Sequence, residues 1–138
     1  MKHAIAILGL LCLAAPAFAA ADADGDGIPD TLDKCTLDSR NAASGADCDT
    51  DGDGYGNVCD PDFDQNFSVN ANDFSKHFVP SRQGHTPAST GTDLNCDGSV
   101  KKDDYEKFFV PKFKGDAALG GAAPGPSGLP CAGTPGCM

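Results

Sequence analysis

The chain has 138 residues, with 20 acids against 10 bases and a formal charge of −10. No basic patch exists to neutralise a phosphate backbone, which excludes a nucleic-acid surface. Eight Phe, two Tyr and no Trp make a small core for this length, so cross-links are expected to carry much of the stability.

Residues 1–19 read as an export signal. Lys2 and His3 give a positive start, Ala4 to Ala15 is apolar, and Ala17-Phe18-Ala19 is a small-x-small cleavage site. The apolar run is too short to span a bilayer, and no later stretch is long and apolar enough to do so. Leu10 and Leu11 before Cys12 do not suit a lipoprotein anchor. The expected location is beyond the inner membrane, secreted and extracellular or periplasmic.

From Asp22 onward an acidic twelve-residue frame occurs four times, and most of the acids lie in it. Loop 1 runs over 22–33, loop 2 over 49–60, loop 3 over 62–73 and loop 4 over 93–104. Oxygen-bearing side chains recur at positions 1, 3, 5, 9 and 12, the ligand spacing of an EF-hand calcium loop. Calcium is a hard cation that takes six to eight oxygens, and an oxygen-only ligand set favours it over zinc or copper. Without an ion, so many neighbouring carboxylates repel.

In loop 1 the side-chain ligands are Asp22, Asp24, Asp26, Asp30 and Asp33, with the Ile28 carbonyl. In loop 2 they are Asp49, Asp51, Asp53, Asn57 and Asp60, with the Tyr55 carbonyl. Loop 3 offers Asp62, Asp64, Asn66, Asn70 and Asp73, with the Ser68 carbonyl. Loop 4 offers Asp93, Asn95, Asp97 and Asp104, with the Ser99 carbonyl. Three to four calcium ions are expected. Two positions depart from the pattern: Phe67 replaces the turn glycine at position 6 of loop 3, and Lys101 stands at position 9 of loop 4.

Residues 22–60 lack apolar periodicity and are expected to wrap around ions. Residues 61–114 contain a repeat: Asp73-Phe-Ser-Lys-His-Phe-Val-Pro80 matches Asp104-Tyr-Glu-Lys-Phe-Phe-Val-Pro111 at an offset of 31. Each copy is a calcium loop followed by a short helix, with Phe74 and Phe78, or Tyr105 and Phe109, on one face. Pro80 and Pro111 are expected to stop the helices. The two units should pack through these aromatics and Phe108, with Val69 and Val100 buried at a bridge between paired loops. Residues 115–138, rich in Gly, Ala and Pro, are expected to form a flexible tail. The fold class is thus small, mostly irregular and helical, with a calcium-wrapped acidic region and a pair of EF-hand-like loop-helix units, stapled by disulfides.

Asp22-Ala-Asp-Gly-Asp-Gly-Ile-Pro-Asp-Thr-Leu-Asp-Lys-Cys35 and Asp49-Thr-Asp-Gly-Asp-Gly-Tyr-Gly-Asn-Val-Cys59-Asp60 resemble thrombospondin type 3 repeats. That resemblance implies acidic repeats wrapped around a row of calcium ions and stapled by disulfides. The duplicated units from Asp62 and Asp93 resemble a dockerin type I domain, which implies calcium-dependent binding of a cohesin-type domain in a polysaccharide-degrading assembly. Six cysteines follow the cleavage site, an even number that favours disulfides in an exported chain. The thrombospondin-like resemblance implies Cys35 with Cys59. Cys48 and Cys96 then pair most simply with each other, and Cys131 with Cys137 in a local ring.

His77 and His85 are expected to be solvated, and no nucleophile-base spacing, phosphate loop or zinc-site spacing occurs. The expectation is a non-catalytic calcium-binding module, with a cohesin-like domain or surface protein as its partner and no nucleic acid.

Overall fold

A computed structural model of the chain describes residues 20–41, 48–84, 91–129 and 132. The expected signal (1–19), His85 and the Cys131–Cys137 ring lie outside the described residues. Among the described residues, regular structure comprises two short helices and one 3-10 turn, with no strand. The expected class, small and mostly irregular, is the observed one. The cause is local. Asp and Asn side chains capture backbone N–H groups two to six residues on, which diverts them from helix or sheet ladders.

Helix α1 consists of a π-helical segment, Asp73–Phe78, running into an α-helical turn, Val79–Arg82. Helix α2 repeats this with Asp104–Phe109 and Val110–Phe113. The prolines do not stop either helix. The Val79 N–H donates to the Phe74 carbonyl and the Val110 N–H to the Tyr105 carbonyl, five residues back instead of four. The wider turn relieves the collision between a proline ring and the carbonyl four residues before it. The helices end at Gly84 and Gly115, whose φ values of 75° and 72° exclude most side chains. Their N–H groups close the last turns on the Ser81 and Lys112 carbonyls, at 3.0 and 2.9 Å. These glycines share the offset of 31, so the repeat extends to both of them.

The aromatics pack as their spacing requires. Phe74 stacks on Phe78 along α1, Tyr105 stacks on Phe109 along α2, and Phe74 meets Tyr105 across the pair at 5.1 Å. His77 lies half-buried beside Phe63, less solvated than expected. The core continues from Phe108 and Phe109 through Val69, Leu94 and Val58 to Cys35 and Cys59. Those two cysteines form one disulfide, and Cys48 with Cys96 forms a second among the described residues, as expected. The loop bridge does not form as expected. Val69 is buried, but its N–H donates to the Ala122 carbonyl at 2.8 Å, and Val100 is only half-buried.

Ala122 belongs to a segment expected to be part of a flexible tail. Residues 115–129 instead form a strap seated against residues from Asp33 to Lys112. The Lys112 ammonium donates to the Ala123 carbonyl, and the Gly125 N–H to the Cys59 carbonyl. Pro126 accepts from both the N–H and the hydroxyl of Thr36, and the Gly128 N–H reaches the Asp33 carbonyl. A segment poor in apolar side chains has little to bury by itself, but its backbone can pair with another part of the chain. Small residues make that approach possible. A Cβ at Gly125 would sit 2.5 Å from Cys59 Cβ and 2.7 Å from its Sγ. We therefore expect Gly125→Ala to destabilise the fold by about 1–3 kcal/mol through overpacking. Urea unfolding with an unchanged midpoint would remove this account of the strap.

The strap also covers Lys112, which is fully buried. Burial pulls its ammonium down to about 8, against the opposing pull of Asp38 and Asp60. A second tie between the halves is Arg40. It pairs with the buried Asp38, donates to the Lys107 carbonyl and lies 4.9 Å from the centre of the Phe108 ring.

Candidate metal centre

All four loops share one backbone plan, set by the aspartate at position 1. Asp22 accepts from the Gly25 and Gly27 N–H groups, and Asp49 from those of Gly52, Asp53 and Gly54. Asp62 accepts from Asn66 and Ser68, and Asp93 from Asp97 and Gly98. Position 5 then receives the N–H of position 7, with Ile28 on Asp26, Tyr55 on Asp53 and Ser99 on Asp97 at 2.6–3.0 Å. Holding the carboxylates inward requires left-handed backbone at positions 4 and 6. Gly25 and Gly27, Gly52 and Gly54, Gln65 and Phe67, and Cys96 and Gly98 all have it.

Phe67 adopts that conformation at φ 65° with 61% of its surface exposed. Neither packing nor intrinsic preference supports it there. We expect Phe67→Gly to stabilise the protein by about 1 kcal/mol, read from the denaturant midpoint. A loss of stability would mean that the ring makes a contact worth more than its strain.

The loops close in two different ways. In loops 1 and 2 the position-9 side chain accepts from position 2: Ala23 N–H to Asp30 at 2.7 Å, and Thr50 N–H to Asn57 at 2.8 Å. In loops 3 and 4 the position-12 aspartate gathers positions 3 and 9. Asp73 accepts from Asp64 and Asn70, and Asp104 from Asn95 and Lys101. In the first two loops position 12 instead accepts from outside its own frame, Asp33 from Cys35 and Asn41 and Asp60 from Asp62.

Among the described residues three groups bring ligand oxygens within 4.8 Å of one another: Asp22 with Asp24 and Asp26, Asp49 with Asp51 and Asp53, and Asp62 with Asp64 and Asp73. The first carries the clearest signature. Asp24 Oδ2, Asp26 Oδ2 and Asp33 Oδ2 are buried without a hydrogen-bond partner. Burying carboxylate oxygens unpaired is expensive, and a cation with oxygen coordination resolves the deficit. Burial, with the charges of Asp24 and Asp26 adding, pushes the Asp33 carboxyl up to about 6.

Loops 2 and 3 merge into one acidic region through Asp60-Pro61-Asp62. Burial, then Asp51, Asp49 and Asp62, raises Asp53 to about 6. Asp60 stands well above the carboxylate range for the same reason, beside Asp53, Asp51 and Asp62. Gln65 donates to Asp51 at 3.1 Å across the two loops, and the Asn57 amide donates to the Asp93 carbonyl of loop 4.

Other expected ligands have local partners. Asn70 accepts from the Asn72 N–H and donates to the Ser68 carbonyl, and Asn66 is exposed. Three residues between the frames escaped the sequence pattern. Asn41 donates to Asp33 at 2.7 Å, and buried Asp38 with Arg40 walls the loop 1 region. Their only signal was polarity three to six residues past Cys35 in a region short of apolar residues.

This arrangement defines a class, a disulfide-stapled set of acidic loops whose carboxylate clusters suit a hard cation. Residues 17–42 and 48–74 match the thrombospondin type 3 repeat family. The second match runs through Asp73 and so includes loop 3. No curated protein matches the chain, and no solved structure does. Among the described residues no helix is long and apolar enough to cross a membrane. The two disulfides point to an oxidising compartment outside the cytoplasm.

Proposed function

We propose that the protein is an exported binding or structural module whose fold is completed by three to four calcium ions, held by the four loops as assigned above. The observation that carries this reading is the trio of orphaned buried oxygens on Asp24, Asp26 and Asp33. The ion supplies charge neutralisation and oxygen coordination. The chain supplies loops already curled around their position-1 aspartates. Folding and binding are then one process, and a partner surface exists only in the loaded state.

Calorimetric titration of the oxidised protein with calcium, with circular dichroism on the same samples, tests it. Three or four bound ions and a gain of ordered structure support the reading. Zero or one ion without structural change overturns it.

A second reading is favoured by the two loop-helix units, whose loops close through the same position-12 bonds. In it the unit from Asp62 acts as a dockerin-like adaptor for a cohesin-type domain. Calcium-dependent capture of such a domain supports it, and no binding across a panel of cohesins removes it.

A further inference from the structure

We propose that loop 4 carries its own counter-ion: the Lys101 ammonium takes the place of the position-9 ligand, and loop 4 is the weakest of the four calcium sites. The proposal deepens the calcium reading and rests on it. The Lys101 N–H is fixed on Asp104 Oδ2 at 2.7 Å, as the Asn70 N–H is fixed on Asp73 in loop 3. From that anchor the side chain turns back over the loop, and its ammonium lies 2.8 Å from Asp97 Oδ2 at position 5. In loops 1 and 2 position 9 carries an oxygen ligand, Asp30 or Asn57.

The position-3 oxygen accepts from the position-5 N–H in loops 1, 2 and 4 alike, and in loop 4 the Asn95 amide also donates to Asp103 at 3.3 Å.

Charge sets the order of filling. Ligand positions hold five carboxylates in loop 1, four in loop 2 and three each in loops 3 and 4. Loop 4 offsets one of them with an ammonium at 2.8 Å, against a looser contact of Lys34 with Asp49 at 3.6 Å in loop 2. Affinity in loops of this kind follows ligand charge and number, and a fixed cation beside the site repels the incoming ion. Loop 4 also keeps its shape by other means, because Cys96 at position 4 is bonded to Cys48. It is therefore the least calcium-dependent of the four loops.

The amide resonances of Gly27, Gly54 and Gly98 report loops 1, 2 and 4, since each donates to its position-1 aspartate. We expect calcium chloride to move Gly27 and Gly54 first, and Gly98 only at roughly ten-fold higher concentration. Lys101→Asn should bring the Gly98 midpoint down by about ten-fold, and Lys101→Arg should leave it in place. Gly98 moving in step with the other two in the unaltered protein, or an unchanged midpoint in Lys101→Asn, overturns the proposal alone. Silence at all three glycines takes the calcium reading down and this proposal with it.

Discussion

Replacing Cys35 and Cys59 together by alanine is expected to lower stability by about 3 kcal/mol in calcium. The two residues are 24 apart, and cross-linking a loop of that length removes this much entropy from the unfolded chain. Folded-state contacts add to it. Both cysteines are fully buried among Val58 and Leu94, and the strap seats on the Cys59 carbonyl through Gly125. The Cys35 N–H also donates to Asp33 at 2.7 Å, so loop 1 should bind calcium more weakly in the same variant. Cys48 and Cys96 are only half-buried, and their replacement should cost less despite the longer span. Chemical denaturation of both double variants decides this. A loss below about 1 kcal/mol for the Cys35–Cys59 pair would mean that ions, not the staple, hold the first half together.

Acidification should weaken calcium binding at loops 1 and 2 by about ten-fold each between pH 7.5 and 5. Asp33 and Asp53 stand near 6, above the ordinary 3.8 of an aspartate, first because they are buried and then because carboxylates surround them. An ion must displace the protons these groups hold. The metal-free fold has the opposite dependence. A carboxyl raised on folding contributes stability fully below pH 3.8, and that contribution is lost as pH rises through about 6. Calcium-free protein should therefore be more stable at pH 4.5 than at pH 7.5, and calcium-loaded protein the reverse. Thermal melts at both pH values, with calcium and with chelator, test the crossing. Curves that shift in the same direction in both states would rule it out.

The acidic loops were legible because their chemistry is local. An aspartate at position 1 reaches N–H groups three to six residues on, so sequence spacing and spatial spacing nearly coincide. The same holds for the aromatic pairs along each helix. The helix ends were misread where two local rules competed, since a five-residue hydrogen bond let the prolines stay inside and left termination to Gly84 and Gly115. Lys112 was invisible as a buried residue because its counterpart in the repeat is Ser81, a small polar residue bonded to Thr92 at 2.5 Å. Asp38, Arg40 and Asn41 fell between frames. The strap left almost no trace in side-chain pattern, because its contacts are made by carbonyl and N–H groups that every residue possesses.

That strap fixes an order of events. Thr36 and Pro126 are 90 residues apart, yet one carbonyl holds both donors of that threonine. Loop 1 thus takes one of its walls from a segment made some 90 residues later. This part of the molecule closes as a ring does, not as a zipper, and such distant closures are slow to form. Until that segment arrives, loop 1 stays unfinished.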